Sequence, residues 1–137
     1  MARAKAASVS TPRVTTLKKR AEYLRVRKGA RYATPAFVLE AKVRGSEDRA
    51  QQANEPRFGF TITRQVGKAV DRNRIRRRLK AAVRDVGPAH ARGEFDYVLI
   101  ARRPALTAQF AGLVSELVKA LARVHRVPAR MGKSGRL

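Results

Sequence analysis

The chain has no cysteine, and only ten acidic residues in 137. Without cysteine there is no disulfide, no thiolate metal site and no thiol nucleophile. That absence fits a reducing cytoplasm, and a cytoplasmic location is the expectation. The two histidines, His90 and His125, stand far apart and fall in no metal-ligand or base-orienter spacing. No apolar run approaches the roughly 20 residues of a membrane span. The N-terminus carries no apolar secretory stretch. No internal repeat is visible, which removes solenoid architectures.

Positive charge is abundant instead. Lys and Arg number 32, for a formal net charge of +22. Such a charge repels itself on folding, so a polyanionic partner is its natural explanation. Nucleic acid leads; an anionic membrane or an acidic protein would also satisfy the charge. The hydrophobic fraction of 44% supplies a core, and the length suits a single domain.

Residues 1–14 read as a flexible basic arm broken by Pro12, and residues 127–137 as a flexible basic tail. The domain is expected over 15–126. Residues 15–28 read as a helix, with Thr15 or Thr16 as N-cap and Gly29 as the stop. Leu17, Ala21 and Leu24 form its apolar stripe, with Tyr23 and Val26 off it. A short strand is read near Arg31–Thr34. Residues 36–43 alternate: Phe37, Leu39, Ala41 and Val43 on one face, Val38, Glu40 and Lys42 on a wetter one. Residues 44–56 are polar and turn-rich and read as a hairpin loop.

Residues 57–63 alternate again, with Phe58, Phe60 and Ile62 against Arg57, Gly59, Thr61 and Thr63. The second of these faces is shallow and hydrogen-bonding. It suits an ordinary solvent face or the bed of an extended ligand. Residues 69–86 read as a charged helix and 95–101 as a buried strand. Residues 107–124 carry Phe110, Leu113, Val114, Leu117, Leu121 and Val124 at helical spacing. The order α-β-β-β-α-β-α indicates an α+β fold, a small mixed sheet packed with helices.

The segment VGKAVDRNRIRRRLKAAVRDV repays a helical projection at about 100° per residue. Ile75, Leu79, Ala82, Val83 and Val86 share one sector. Asn73, Arg77, Lys80 and Arg84 share the opposite one. Arg72 and Arg76 flank one edge of the apolar stripe, Arg74 and Arg78 the other. Guanidinium groups bind phosphate oxygens in pairs and stack on bases. Five arginines within residues 72–78 repel one another on a free helix. A merely solvated face would mix Glu with Lys, and here the only acids are Asp71 and Asp85. Phosphates are the better explanation.

Those residues also carry a family likeness. Val66, Gly67, Ala69, Arg72, Asn73, Arg74, Ile75, Arg76, Arg77, Leu79 and Lys80 resemble the signature of the ribonuclease P protein subunit, with its Arg-Asn-Arg triplet. GFTITRQVGKAV, DYVLIARRPA and LKKRAEYLRVRKGARYATPAFVL are similar to the flanking elements, so the likeness spans roughly residues 17–124. It implies a two-layer sandwich with a left-handed strand-helix-strand crossover, where pattern alone would give a right-handed one. It implies catalysis by an RNA subunit with RNA-bound Mg²⁺, no cofactor held tightly by the protein, and no catalytic protein residue. The implied partners are the catalytic RNA, one protein to one RNA, and precursor tRNA, with no membrane and no DNA.

Two sites follow from the likeness. Arg72, Asn73, Arg74, Arg76, Arg77, Lys80 and Arg84 would dock on the RNA. Tyr23, Arg27, Thr61, Thr63, Arg64 and Lys68 would belong to a cleft holding the 5′ leader. The sequence departs from the family at Arg27, where a second cleft aromatic is expected, and at Lys68, where a capping Asn is common. The 44–56 loop is longer than usual. The implied role is stimulation of leader removal from precursor tRNA.

Other classes compete. A ribosomal or other structural RNA-binding protein would leave the spaced Arg-Asn-Arg helix a coincidence. A DNA-binding regulator lacks a helix-turn-helix partner, since a strand precedes the basic helix. A metal-dependent nuclease lacks a carboxylate or His cluster. The acid-free first 21 residues are similar in composition to a mitochondrial transit peptide, but an RNA-contacting arm is the simpler reading. His90 is expected on the surface, and His125 is expected to serve the dipole of the last helix.

Overall fold

The computed structural model describes residues 15–44 and 55–126. The two basic tails and most of the 44–56 loop lie outside the described residues. The alternation read at 36–43 and 57–63 becomes the shorter strands β3 (Phe37–Val43) and β4 (Arg57–Thr61), and the apolar run becomes β5 (Phe95–Ala101). Two short strands precede them, β1 (Thr15–Thr16) and β2 (Ala30–Ala33). The helices are α1 (Arg20–Val26), α2 (Ala69–His90) and α3 (Phe110–Arg126). The sheet order is β1-β4-β5-β3-β2. β3 is antiparallel to β2 and β5, while β4 is parallel to β5 and to β1. The fold is therefore α+β with a mixed sheet, and α2 joins the parallel neighbours β4 and β5.

The period-2 pattern decides which residues enter the main core. Phe37, Leu39 and Ala41 of β3 join Phe58 of β4 and Tyr97, Leu99 and Ala101 of β5. Ile75, Leu79, Ala82, Val83 and Val86 of α2 close on them, with Leu113, Leu117, Ala120, Leu121 and Val124 of α3. The stripe read on α2 is its buried face; on α3, which starts at Phe110 and not at 107, Leu113, Leu117, Leu121 and Val124 are buried as read, but Phe110 is 40% exposed and Val114 only partly buried.

The other sheet face is only partly covered. A smaller cluster of Leu17, Val26 and Val98, with Tyr23 and Ile100 against it, seats the short α1 there.

Three expectations are corrected. Thr15 and Thr16 pair with β4 at Arg57 and Phe58, so they are strand and not the start of a helix. The helix begins at Arg20, and the Glu22 carboxylate accepts the backbone N–H groups of Lys18 and Lys19 at 3.1 and 3.0 Å. With the helix set there, Tyr23 and Val26 face the sheet, while Ala21 and Leu24 face outward, Leu24 being 41% exposed. Second, α2 runs past Val86 through Pro88 to His90. A proline in the last turn loses one helical N–H bond without ending the helix outright. Third, Val43 is 40% exposed at the end of β3, whereas Glu40 on the supposedly wetter face is buried.

Candidate nucleic-acid interface

On α2 the outward sector holds Asn73, Arg77, Lys80 and Arg84, all exposed, with Arg74 exposed beside them. Arg72 and Arg76 are half-buried at the edge. Arg72 donates to the Gly67 carbonyl at 3.0 Å, holding the start of the helix. Arg76 reaches the Asn73 side-chain oxygen at 3.4 Å. Lys68 is the N-cap residue without a side-chain cap bond, and Arg103 fixes the segment just before it by donating to the Val66 carbonyl at 2.6 Å. Arg78 has a different task. Its guanidinium binds the Ala105 carbonyl at 3.0 Å and also the Ala108 carbonyl, stapling α2 to the turn before α3. Part of the arginine crowding is thus structural, and the remainder faces solvent as one cationic ridge.

The second surface lies on the opposite sheet face, where strand register sets three rows of side chains. Arg57, Asp96 and Lys42 form one; Gly59, Val98, Glu40 and Arg31 the next; Thr61, Ile100, Val38 and Ala33 the third. α1 crosses the first and part of the second.

The first row is an ion cluster. Arg57 grips both oxygens of Asp96 at 2.7 and 2.6 Å and also reaches Glu22 of α1 at 3.0 Å. Arg44 and Arg25 donate to Asp96 at 2.7 and 2.6 Å. Burial pushes the Asp96 carboxyl up, but the bonds from Arg57, Arg44 and Arg25 outweigh it and hold it below its usual range. Glu22 behaves alike: burial raises it, while the Lys19 and Lys18 amides and the Arg57 charge bring it lower. Arg57, read from the sequence as part of an open face, is in fact a buried tie between β4, β5 and α1.

Tyr23 is the wall of the second row. Its ring lies on Gly59, where a Cβ would come within 2.6 Å of it, and its hydroxyl accepts the Phe60 amide at 3.3 Å. Beyond it opens a cleft of about 590 Å³ lined by Lys18, Arg20, Tyr23, Leu24, Arg27, Glu40, Thr61, Val98 and Ile100. Three of the residues expected in a cleft, Tyr23, Arg27 and Thr61, therefore meet in one. Thr63, Arg64 and Lys68 do not line it, because β4 ends at Thr61 and they lie on the lead-in to α2. Sequence reasoning does not find Lys18, Arg20 and Leu24, because it sets the helix register wrongly. Nor does it find Glu40, because alternation shows a face but not what covers it.

His125 does not act as a charged dipole partner. Its Nε2 meets the Tyr97 hydroxyl at 2.5 Å, and that hydroxyl accepts the Arg92 amide at 2.8 Å. Burial, together with the Arg92 charge, pushes the imidazole down to about 4. It is neutral at pH 7. His90 is exposed at the end of α2, in line with expectation. Among the described residues, no three or more His, Cys, Asp or Glu side chains gather as a metal site. Nor, among them, is any helix long and apolar enough to cross a membrane.

A mixed sheet with a cationic ridge on one side and a cation-rimmed cleft on the other defines a small basic α+β domain built to face polyanions. The particular family follows from comparison: residues 11–125 match the model of the family described as Ribonuclease P, and the chain belongs to that family. The ribonuclease P protein component of Brucella suis is 44% identical over 110 residues, covering 79% of this chain and 78% of the relative. That of Paramagnetospirillum magneticum is 44% identical over 113 residues, covering 82% and 84%. The solved structure of the RNase P protein from Staphylococcus aureus matches with a TM-score of 0.64 at 26% identity, over 82% of this chain and 98% of that one.

Proposed function

We propose that this chain is the protein subunit of a ribonuclease P ribonucleoprotein, in which it docks on a catalytic RNA and holds the 5′ leader of precursor tRNA. The observation that carries the reading is the outward face of α2. Asn73, Arg74, Arg77, Lys80 and Arg84 stand in solvent, while the opposite face of the same helix is fixed in the core. A rigid rod of guanidinium and ammonium groups at helical spacing neutralises phosphates and releases their counterions. Arg72 and Arg76 flank this ridge and add to it when RNA is bound.

The cleft supplies the second contact. A single strand is extended and its bases are unstacked, so it takes an aromatic wall with cations at the rim. Tyr23 offers the wall, and Lys18, Arg20 and Arg27 offer the rim. Thr63, Arg64 and Lys68, outside the cleft, suit a continuing path of the strand toward α2. Binding the leader would favour precursor over mature tRNA.

Chemistry is assigned to the RNA. Among the described residues no carboxylates gather as a metal site, and of the carboxylates nearest the cleft Glu22 and Asp96 are engaged by arginines and Glu40 pairs with Arg31. The role of this chain is positional and electrostatic, one copy to one RNA.

Cleavage of precursor tRNA at low Mg²⁺ tests the reading, using the RNA subunit alone, this protein alone, and the mixture. Stimulation in the mixture only is expected. Cleavage by the protein alone would instead indicate a nuclease, and no effect in the mixture would indicate a structural RNA-binding protein.

A further inference from the structure

The chain has five phenylalanines, three tyrosines and no tryptophan. All of these rings lie among the described residues, and Phe110 alone of them stands exposed; the others are buried or half-buried. An apolar ring left in water forgoes the gain of burial. Its surroundings keep it open. Gln109, Ala111 and Gly112 beside it are exposed, and a Cβ on Gly112 would meet nothing within 4 Å. The fold sets this ring beside the basic ridge. Arg103 reaches the Val66 carbonyl just before α2, and Arg78 holds the Ala105 and Ala108 carbonyls. His125, near the end of α3, meets the Tyr97 hydroxyl that accepts from Arg92, just past the end of α2. The two helices thus run side by side in the same direction. Phe110 opens α3 two residues beyond Ala108, on the edge of α2 that carries Arg78 and, one turn earlier, the exposed Arg74.

A bare ring beside phosphate-binding cations specifies its ligand. An apolar protein partner fits poorly: seating it on Phe110 would strip water from Arg74, and the core of a protein contact is depleted of charge. A nucleotide suits both groups, with its base on the ring and its phosphate on the guanidinium. In a duplex the bases stack on one another and offer no free face, so the base must be unpaired, in a loop or a bulge. The 5′ leader is not its source. α2 and α3 cover one face of the sheet, and the leader cleft opens on the other, beside α1.

We propose that Phe110 is a stacking platform for one unpaired base of the RNA docked on α2, with Arg74 taking the phosphate of that nucleotide. The inference rests on the RNA-docking reading above. The ring adds a contact that a paired segment of equal charge cannot satisfy. It therefore favours an RNA with a free base beside the ridge over a plain duplex.

The test uses the full chain and the catalytic RNA. Because the chain has no tryptophan, Phe110→Trp places a single indole at the site. That variant should keep the affinity of the wild type, and RNA should quench its emission and shield it from acrylamide. Phe110→Leu stays apolar but offers no ring face. It should bind the RNA about ten-fold more weakly, the scale of one base stacked on an aromatic. Its salt slope should match the wild type, since no phosphate contact is lost, and it should bind a fully paired RNA as the wild type does. An indole indifferent to bound RNA would overturn the inference, as would wild-type affinity in Phe110→Leu. A shallower slope in Phe110→Leu would also overturn it, because the loss would then be one of charge. So would indole emission that changes with protein concentration without RNA, which would assign the ring to a contact between copies. If Phe110→Leu does not fold, the indole still decides. Failure of the wild type to bind the catalytic RNA would overturn the docking reading itself, whereas tight binding that leaves the ring untouched overturns only the role of Phe110.

Discussion

At the scale of single residues, the strongest commitments are made by buried groups with distant partners. Asp96 is fully buried and bound by Arg25, Arg44 and Arg57. Its removal takes the buried carboxylate away from three guanidinium groups, and Asp96→Ala is expected to lose roughly 3–5 kcal/mol in urea denaturation. A loss below about 1 kcal/mol would mean that the cluster relaxes into water. Gly59 makes a contrasting case. A methyl there meets the end of the Tyr23 ring and not backbone, so Gly59→Ala should displace Tyr23 while the fold survives. We expect it to cost about 1 kcal/mol for the broken amide bond and to weaken precursor binding but not mature tRNA binding. His125 gives a pH dependence with a definite sign. Its ordinary value of 6.5 falls to about 4 on folding, so protons bind the unfolded chain more readily. Its contribution is whole above pH 6.5 and is lost progressively as pH falls toward 4. Glu22 and Asp96, both held below ordinary carboxylate values, add their losses only at lower pH. The melting temperature should therefore fall between about pH 6.5 and 5 in the wild type and stay flatter in His125→Gln; parallel curves would remove His125 from the account.

Elements are legible in the sequence where one period runs long enough to dominate. The stripes of α2 and α3 can be read because four or more turns repeat the pattern, and β3, β4 and β5 emerge from alternation or an apolar run. The short α1 cannot, since two turns hold too few residues to fix a register, and the pairing of Thr15–Thr16 with β4 is a tertiary fact. The ion cluster is invisible for a related reason: Asp96 lies 39 residues from Arg57 and 52 from Arg44. The basic ridge is readable because all its members sit on one helix, whereas the cleft draws on α1, β3, β4 and β5. Composition alone nonetheless overcounts the arginines of α2 that are free to meet phosphate. Arg78 is bound to carbonyls before α3, while Arg74, Arg77, Lys80 and Arg84 face solvent. Replacing those four by Ala should make the salt dependence of RNA binding shallower, by up to about 0.9 in log-log slope for each phosphate no longer neutralised. Arg78→Ala should leave the slope unchanged and lower the melting temperature. The reverse pattern would exchange their roles.

For the whole molecule, charge sets two opposing dependences on salt. A formal net charge of +22 on 137 residues repels itself most when the chain is compact. The internal ion pairs do not remove the problem: Glu22, Glu40 and Asp96 are matched by Arg25, Arg31, Arg44 and Arg57, and that set is itself one positive charge in excess. Added salt screens the repulsion within a Debye length of about 10 Å at 0.1 M. The free protein should therefore melt at higher temperature as salt rises from about 50 to 300 mM, well within the range where screening changes. The complex with RNA should respond in the opposite direction, because the counterions released on binding enter a more concentrated salt solution and gain less entropy there. Calorimetry of the free chain and salt-dependent titration of the RNA complex measure the two separately. If salt destabilised the free protein, the buried clusters around Asp96 and Glu40 would outweigh the surface ridge in the electrostatic balance of folding. The excess of arginine on α2 would then be neutral for the free fold, and selection for a polyphosphate partner would no longer be needed to explain why so costly a face is kept.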